Sequence, residues 1–427
     1  MLRRLDLRDS NSDLAAMLAS ADAESDAPTD AVARIIRHVR DGGDNALHSL
    51  TEEFDGVKIG SVQVTPQELK CAFEACDPEL IAALELARDQ ICAYHETQAL
   101  FPSVHQRMGV RVEDIAIPVD RAGCYVPGGR ATYPSSVLMT VIPAKVAGVR
   151  SIALCTPPGL SGSPADVTLA AALIAGADEV YRVGGVQAIA ALAYGTESIV
   201  PVDVIVGPGN AYVTEAKRQV IGEVGIDALA GPSELVVIAD SFNDPRLVAA
   251  DMLAQAEHGP GGKAVLVTSD ESVADEVEMA LDQLLAVAPR RADAEATLRS
   301  GGLVVLVRST EQAVEVSNKI APEHLQLMCA GADDLIPLVR NAGAVFVGEL
   351  ASAVVGDYVA GTNHVLPTGG AARYQSALRV STFQKHVHLV RVDNDGLASV
   401  GPAAIAIAEA EGLDAHAQSI RVRLASS

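Results

Sequence analysis

The chain has 427 residues, more than one hydrophobic core usually organises, and 49% of them are apolar, which sets it apart from disordered sequences. Its formal charge of −23, from 32 Lys and Arg against 55 Asp and Glu, is spread along the sequence, so nucleic acid and anionic membrane are poor partners. Aromatics supply only 3% and Trp is absent, leaving Ala, Val, Leu and Ile to fill the interior, as in parallel α/β sheets.

The opening Met1-Leu-Arg-Arg-Leu-Asp-Leu-Arg8 lacks the apolar core of a signal peptide, and no apolar run long enough to cross a bilayer follows. A cytoplasmic location is expected, with the six cysteines, none in a CxxC pair, as reduced thiols. Cys124 and Cys155 flank apolar segments and read as buried filler.

Residues 1–110 read as helical. A run from Ala31 to Arg40 has helical periodicity and stops at Gly42-Gly43; two further helices each begin near a proline, Pro66 and Pro78. His38, His48, His95 and His105 fall here with nothing ligand-like beside them. After Pro118 short β-branched runs take over, at Ser151, Glu179, Val202, Glu234, Ala264 and Leu303, most followed by an Ala-rich helical pattern. That alternation predicts parallel sheets with helices on both faces, enough for two doubly wound Rossmann-like domains, with a boundary near Asp240–Pro245. From Arg379 the rhythm breaks: a strand-like Val387–Val392, carrying His386 and His388 on a solvent-facing side, then helices to His416. Such a tail is too small for its own core and must dock on another surface, a second subunit among the choices.

Six of the ten histidines lie beyond residue 257, four of them near a carboxylate or amide. Imidazole, carboxylate and amide oxygen together suit a borderline divalent cation without thiolate. Gln255 and His258 share a face of a helix closing at Gly259-Pro260; sequence alone does not choose Gln255 over Glu257 as a ligand. Glu323-His324 sits at a helix–strand junction and offers two proton-transfer groups in one turn. Gly356 to Gly370, punctuated by Gly and Pro yet apolar, has the profile of a rigid functional loop, with Asp357 as an anionic ligand and His364 as a polar contact. Two Gly loops, Gly123–Gly129 and Gly207-Pro-Gly209-Asn210, admit a nucleotide, although no GxGxxG is present.

Taken in order, Tyr125-Val-Pro-Gly-Gly, Val202 to Asn210, Ala230-Gly-Pro-Ser-Glu234, Gln255-Ala-Glu-His-Gly259, Ala321-Pro-Glu-His324, Asp357 to Gly370 and Ala410-Glu-Gly-Leu-Asp-Ala-His416 closely resemble the histidinol dehydrogenase family. The resemblance implies a zinc- and NAD-dependent enzyme of histidine biosynthesis that oxidises L-histidinol to L-histidine through the aldehyde. It further implies zinc on Gln255, His258, Asp357 and His416, His324 as base and Glu323 activating water. Ser233, His364 and Glu411 would join the ligands and His324 as substrate contacts, while Tyr125, Gln187 and Asn210 would contact NAD. A homodimer in which the tail completes the neighbour's site is also implied. A related dehydrogenase of another small polar alcohol is the rival, disfavoured by the intact Glu411, His364 and His416.

The expected organisation is therefore an arm over 1–22, a catalytic and metal-carrying α/β domain over 23–125 and 241–378, an NAD-contacting α/β domain over 126–240, and a tail over 379–427 docked on the partner.

Overall fold

A computed structural model describes residues 2–8, 28–99, 102–129, 131–259 and 261–426. Most of the expected 1–22 arm, and Pro260 of the predicted helix stop, lie outside the described residues. In chain order the elements are β1 (Arg3–Asp6), α1 (Thr29–Asp55), β2 (Gln63–Val64), α2 (Pro66–Ala75), α3 (Pro78–Glu96), β3 (Ser103–Arg107), β4 (Val110–Pro118), β5 (Arg121–Tyr125), α4 (Pro134–Ala147), β6 (Ser151–Cys155), α5 (Asp166–Ala175), β7 (Glu179–Tyr181), α6 (Gly185–Tyr194), β8 (Val204–Val206), α7 (Ala211–Gln219) and β9 (Gly225–Ile226). They continue as β10 (Glu234–Ala239), α8 (Pro245–Ala256), β11 (Lys263–Thr268), α9 (Glu271–Val287), α10 (Arg291–Gly301), β12 (Gly302–Leu306), α11 (Thr310–Ile320), β13 (His324–Met328), α12 (Ala332–Leu335), β14 (Ala344–Val347), α13 (Ala353–Tyr358), β15 (Gln384–Val392), α14 (Asn394–Ala410) and α15 (Asp414–Ser426).

Two six-stranded sheets organise the molecule, in the orders β1-β12-β11-β10-β13-β14 and β2-β7-β6-β5-β8-β9. Apart from an edge strand on each, both follow the doubly wound order 3-2-1-4-5, in which a ligand crevice opens where the winding reverses. All pairings in the two sheets are parallel except β2 with β7. The central strands are buried on both faces, which is why they read as unbroken apolar runs. No helix among the described residues is long and apolar enough to cross a membrane.

The ladders draw the units differently from the sequence expectation. Arg121–Tyr125, expected to close the catalytic domain and open a loop, is the central strand of the second sheet, paired with β6 and β8. Glu234–Ala239, assigned to the NAD domain, pairs with β11 and β13 in the first sheet. Helices α1, α2 and α3 pack on α6, α5 and α4 over the second sheet, while β3 and β4 form a third, three-stranded sheet with β15. Cutting at 126 or 240 would sever parallel ladders whose partners lie far apart in the chain.

Three local expectations also shift. Helix α1 does not stop at Gly42-Gly43 but kinks at Gly43 and continues, because Glu197 accepts the Asp44 N–H and Asp44 accepts the Ser198 N–H. The supposedly helical first 110 residues include β1, β2 and β3, the last forming a hairpin with β4. Part of the tail docks on its own chain: β15 runs antiparallel along the whole of β4, while α14 and α15 pack on each other. His386 and His388 are exposed on β15, and Cys124 and Cys155 are buried, their thiols pushed up by desolvation, to about 12 for Cys124.

At the exit of β8 the chain turns through Gly207 at φ 119°, where a Cβ would lie 2.1 Å from the Tyr125 carbonyl oxygen. The Gly207 N–H donates to Asp227 Oδ2 at 2.7 Å, and its carbonyl accepts from Lys217 Nζ at 3.0 Å. Lys217 and Asp227 also pair with each other, both almost fully buried. Lys217→Met leaves a buried carboxylate unpaired and is expected to cost about 3–5 kcal/mol of stability. Urea unfolding checks this; a loss below about 1 kcal/mol would show that the pair carries little.

Candidate functional site

The candidate site lies between the sheets, at the amino edge of the first and the carboxyl edge of the second. Strands β10 and β13 are parallel neighbours, so Ser233 and Glu323, each just before its strand, emerge side by side. Helix α8 returns to the same edge and delivers Gln255 in its last turn, with His258 just beyond; α13 brings Asp357.

Glu234 braces both proton-transfer groups through its backbone. Its N–H donates to Glu323 Oε2 at 3.0 Å, and its carbonyl accepts from His324 Nδ1 at 3.2 Å. That bond fixes Nδ1 as the protonated nitrogen and turns Nε2 towards Asp357 Oδ1, 3.4 Å away without hydrogen-bond geometry. Glu323 Oε2 stands 3.5 Å from His324 Nδ1. Burial by itself would lower the His324 pKa, but Asp357 and Glu323 outweigh it and push it up to about 9. Burial raises the Glu323 carboxyl despite the opposing pull of His324. Asp357 moves the other way: desolvation is outweighed by His324, His364 and His258, which together hold its carboxyl below the usual range.

His364 is clamped across the sheets. Its Nδ1 donates to the Asp357 carbonyl at 2.8 Å, and Nε2 lies 3.2 Å from the Ser136 hydroxyl on α4. Buried Asn363 secures the loop by donating to the Met139 carbonyl at 2.7 Å and accepting the Val365 N–H at 2.9 Å. Burial lowers the His364 pKa. Ser233 donates to Gln255 Oε1 at 3.2 Å, while Gln255 Nε2 is buried without a partner among the described residues.

These residues do not all converge in one chain. Ser233, Gln255, His258, Glu323, His324, Asp357 and His364 are brought to one region, whereas Glu411 and His416 are exposed on the α14–α15 tail. No cluster of three or more His, Cys, Asp or Glu arranged to hold a metal is present among the described residues. The donor types fit a divalent cation: imidazole at His258, the Asp357 carboxylate and the Oε1 of buried Gln255, which also accepts from Ser233.

Across the cleft, Tyr125, Gln187 and Asn210 occupy the carboxyl edge of the second sheet. Tyr125 ends β5 with its ring in the core, and its hydroxyl accepts the Gly185 N–H at 3.1 Å. Gln187 is buried in the first turn of α6. Exposed Asn210 caps α7, accepting the N–H groups of Tyr212 and Val213. Tyr125 and Asn210 follow β5 and β8, the pair at which the winding reverses.

A family model described as histidinol dehydrogenase matches residues 18–424. The chain belongs to the histidinol dehydrogenase family. It is 48% identical to the histidinol dehydrogenase of Rhizobium meliloti (strain 1021) over 415 residues, covering 96% of this chain and 95% of that one. The histidinol dehydrogenase of Methanothermobacter thermautotrophicus is 47% identical over 396 residues, 92% of each chain. A crystal structure of histidinol dehydrogenase from Elizabethkingia anophelis matches with a TM-score of 0.95 at 35% identity, over 100% of this chain and 98% of that one.

Within the histidinol dehydrogenase fold, two contributors had no role assigned from the sequence. Ser136 stands in an ordinary helix start, and Glu234 acts through its backbone, which no side-chain pattern records. Asn363 had only its place beside His364 to mark it.

Proposed function

We propose that this chain oxidises L-histidinol to L-histidine through L-histidinaldehyde, in the last steps of histidine biosynthesis, using two NAD molecules and a zinc site. The observation that carries this is the single Glu234 residue bracing both Glu323 and His324 beside Asp357. Gln255, His258 and Asp357, with His416 of a neighbouring copy, would hold zinc, which supplies a grip on the substrate's imidazole and amine. NAD, held at Tyr125, Gln187 and Asn210, supplies the hydride acceptor.

His324 takes the hydroxyl proton at Nε2, the nitrogen its Nδ1–carbonyl bond leaves available once neutral. Glu323 removes a proton from the water that adds to the aldehyde. His364 and Ser233 orient the polar ends of the substrate, and Glu411 from the partner's tail offers a carboxylate to it. The chain is read as a homodimer for that reason.

Purified protein with histidinol and NAD is expected to show steady growth of reduced-nicotinamide absorbance, lost on chelation and restored by zinc. Absence of growth from the metal-loaded protein would overturn the proposal; growth indifferent to thorough chelation would remove zinc from it.

A further inference from the structure

Asp55 ends the 27-residue helix α1, where a carboxylate faces the negative end of the helix dipole. Its Oδ2 is buried and has no hydrogen-bond partner among the described residues. Burial pushes its carboxyl up to about 6, the mark of an acid that no described residue compensates. A buried carboxylate oxygen at a helix C-terminus, without a donor among the described residues, points outward to a missing donor.

The surroundings say which donor. Just past Asp55, the Val57-Lys58 turn packs against Gly162, in the loop that leaves β6. Burial pushes the Tyr125 phenol up, and the nearby Asp55 charge adds to that rise. Pro157 fills the space where Gly128 and Gly184 would carry a Cβ, so the loops after β5, β6 and β7 form one closed rim. Asp55 therefore stands at the carboxyl edge of the second sheet, the edge that carries Tyr125, Gln187 and Asn210.

It stands there on the face opposite the chemistry. The His364 loop packs with α3, α4 and α5 on one face of the sheet, where Val365 and Leu378 join that core. Helix α1 packs with α6 and α7 on the other, around Tyr125. A dinucleotide whose nicotinamide meets His324 and crosses the sheet edge puts its far half, the adenosine, on the Asp55 side.

We propose that Asp55 binds the 2′- and 3′-hydroxyls of the adenosine ribose of NAD and excludes the 2′-phosphate of NADP. The vicinal diol donates hydrogen bonds to the half-buried carboxylate, and a phosphate there meets like charge. This rests on the NAD-dependence proposed above and adds to it the residue that selects the cofactor.

Three measurements decide it in the intact protein. The unaltered chain is expected to use NAD over both NADP and NAD lacking the adenosine 2′-hydroxyl. Asp55→Asn is expected to raise KM for NAD roughly ten- to a hundredfold, to narrow both preferences and to leave KM for histidinol unchanged. Its thermal midpoint without cofactor is expected to hold or rise, because an acid at a helix C-terminus is gone. Failure of the unaltered chain to reduce NAD at all would overturn the underlying function. Normal NAD reduction with equal use of the 2′-deoxy cofactor, or an Asp55→Asn variant with unchanged KM and preference, would overturn the ribose assignment alone. A lowered midpoint with unchanged cofactor preference would make Asp55 structural and likewise overturn it.

Discussion

Glu323→Gln is expected to slow aldehyde oxidation by about 10²- to 10⁴-fold while largely sparing the alcohol-to-aldehyde step. The substitution preserves shape, and the amide oxygen still accepts the Glu234 N–H that holds Glu323 at 3.0 Å. What it removes is a group able to take a proton from water. His324 keeps its bond to the Glu234 carbonyl, so the base for the first half-reaction survives. The acid limb carries a second signature. Because burial raises the Glu323 carboxyl above its ordinary 4.5, the unaltered chain should lose aldehyde oxidation as pH falls through that raised value. The variant has no such limb to lose. Single-turnover measurements started from histidinol and from the aldehyde separate the two steps. Equal loss in both would show that Glu323 does not divide the labour in this way.

The second large effect concerns the tail. Glu411 and His416 are exposed on a helical hairpin, while the groups they are expected to join lie at the meeting edges of the two sheets. Exposed apolar side chains on the same tail, Ile407, Leu413 and Val422, give that hairpin a face to bury against a second copy. His416→Asn and His324→Asn are each expected to abolish activity in homodimers. Mixed, they should recover about half the activity per heterodimer, because one of the two shared sites receives an intact core and an intact tail. No recovery in verified heterodimers would mean that each site is completed within a single chain.

The residues that carry chemistry were legible to different degrees. The adjacent Glu323-His324 and the Gly356–Gly370 loop declared themselves locally, because unusual residue types stood in unusual company. Gln255 over Glu257 was not legible from spacing; the structure buries Gln255 beside Ser233, while Glu257 follows the helix end. Tyr125 was expected in a loop and proves to end a central strand, with only its hydroxyl at the rim. Ser136 gave no signal, since it meets His364 from the other sheet, and Glu234 stood in a matching segment without a role, since it acts through its peptide groups.

By itself the sequence determined the class of fold: strand–helix alternation and unbroken apolar strands require parallel sheets covered on both faces, because period and composition are local properties. It also determined which groups are available for proton transfer and metal binding. Only the tertiary structure decided which strands share a sheet, and so that Arg121–Tyr125 lies in the second sheet and Glu234–Ala239 in the first. The same packing sets the amino edge of one sheet against the carboxyl edge of the other, with Asp357, His364 and Ser136 spanning the gap. A parallel strand finds its partner after a crossover of tens of residues, and a local pattern fixes which way a side chain points but not which strand it will lie beside.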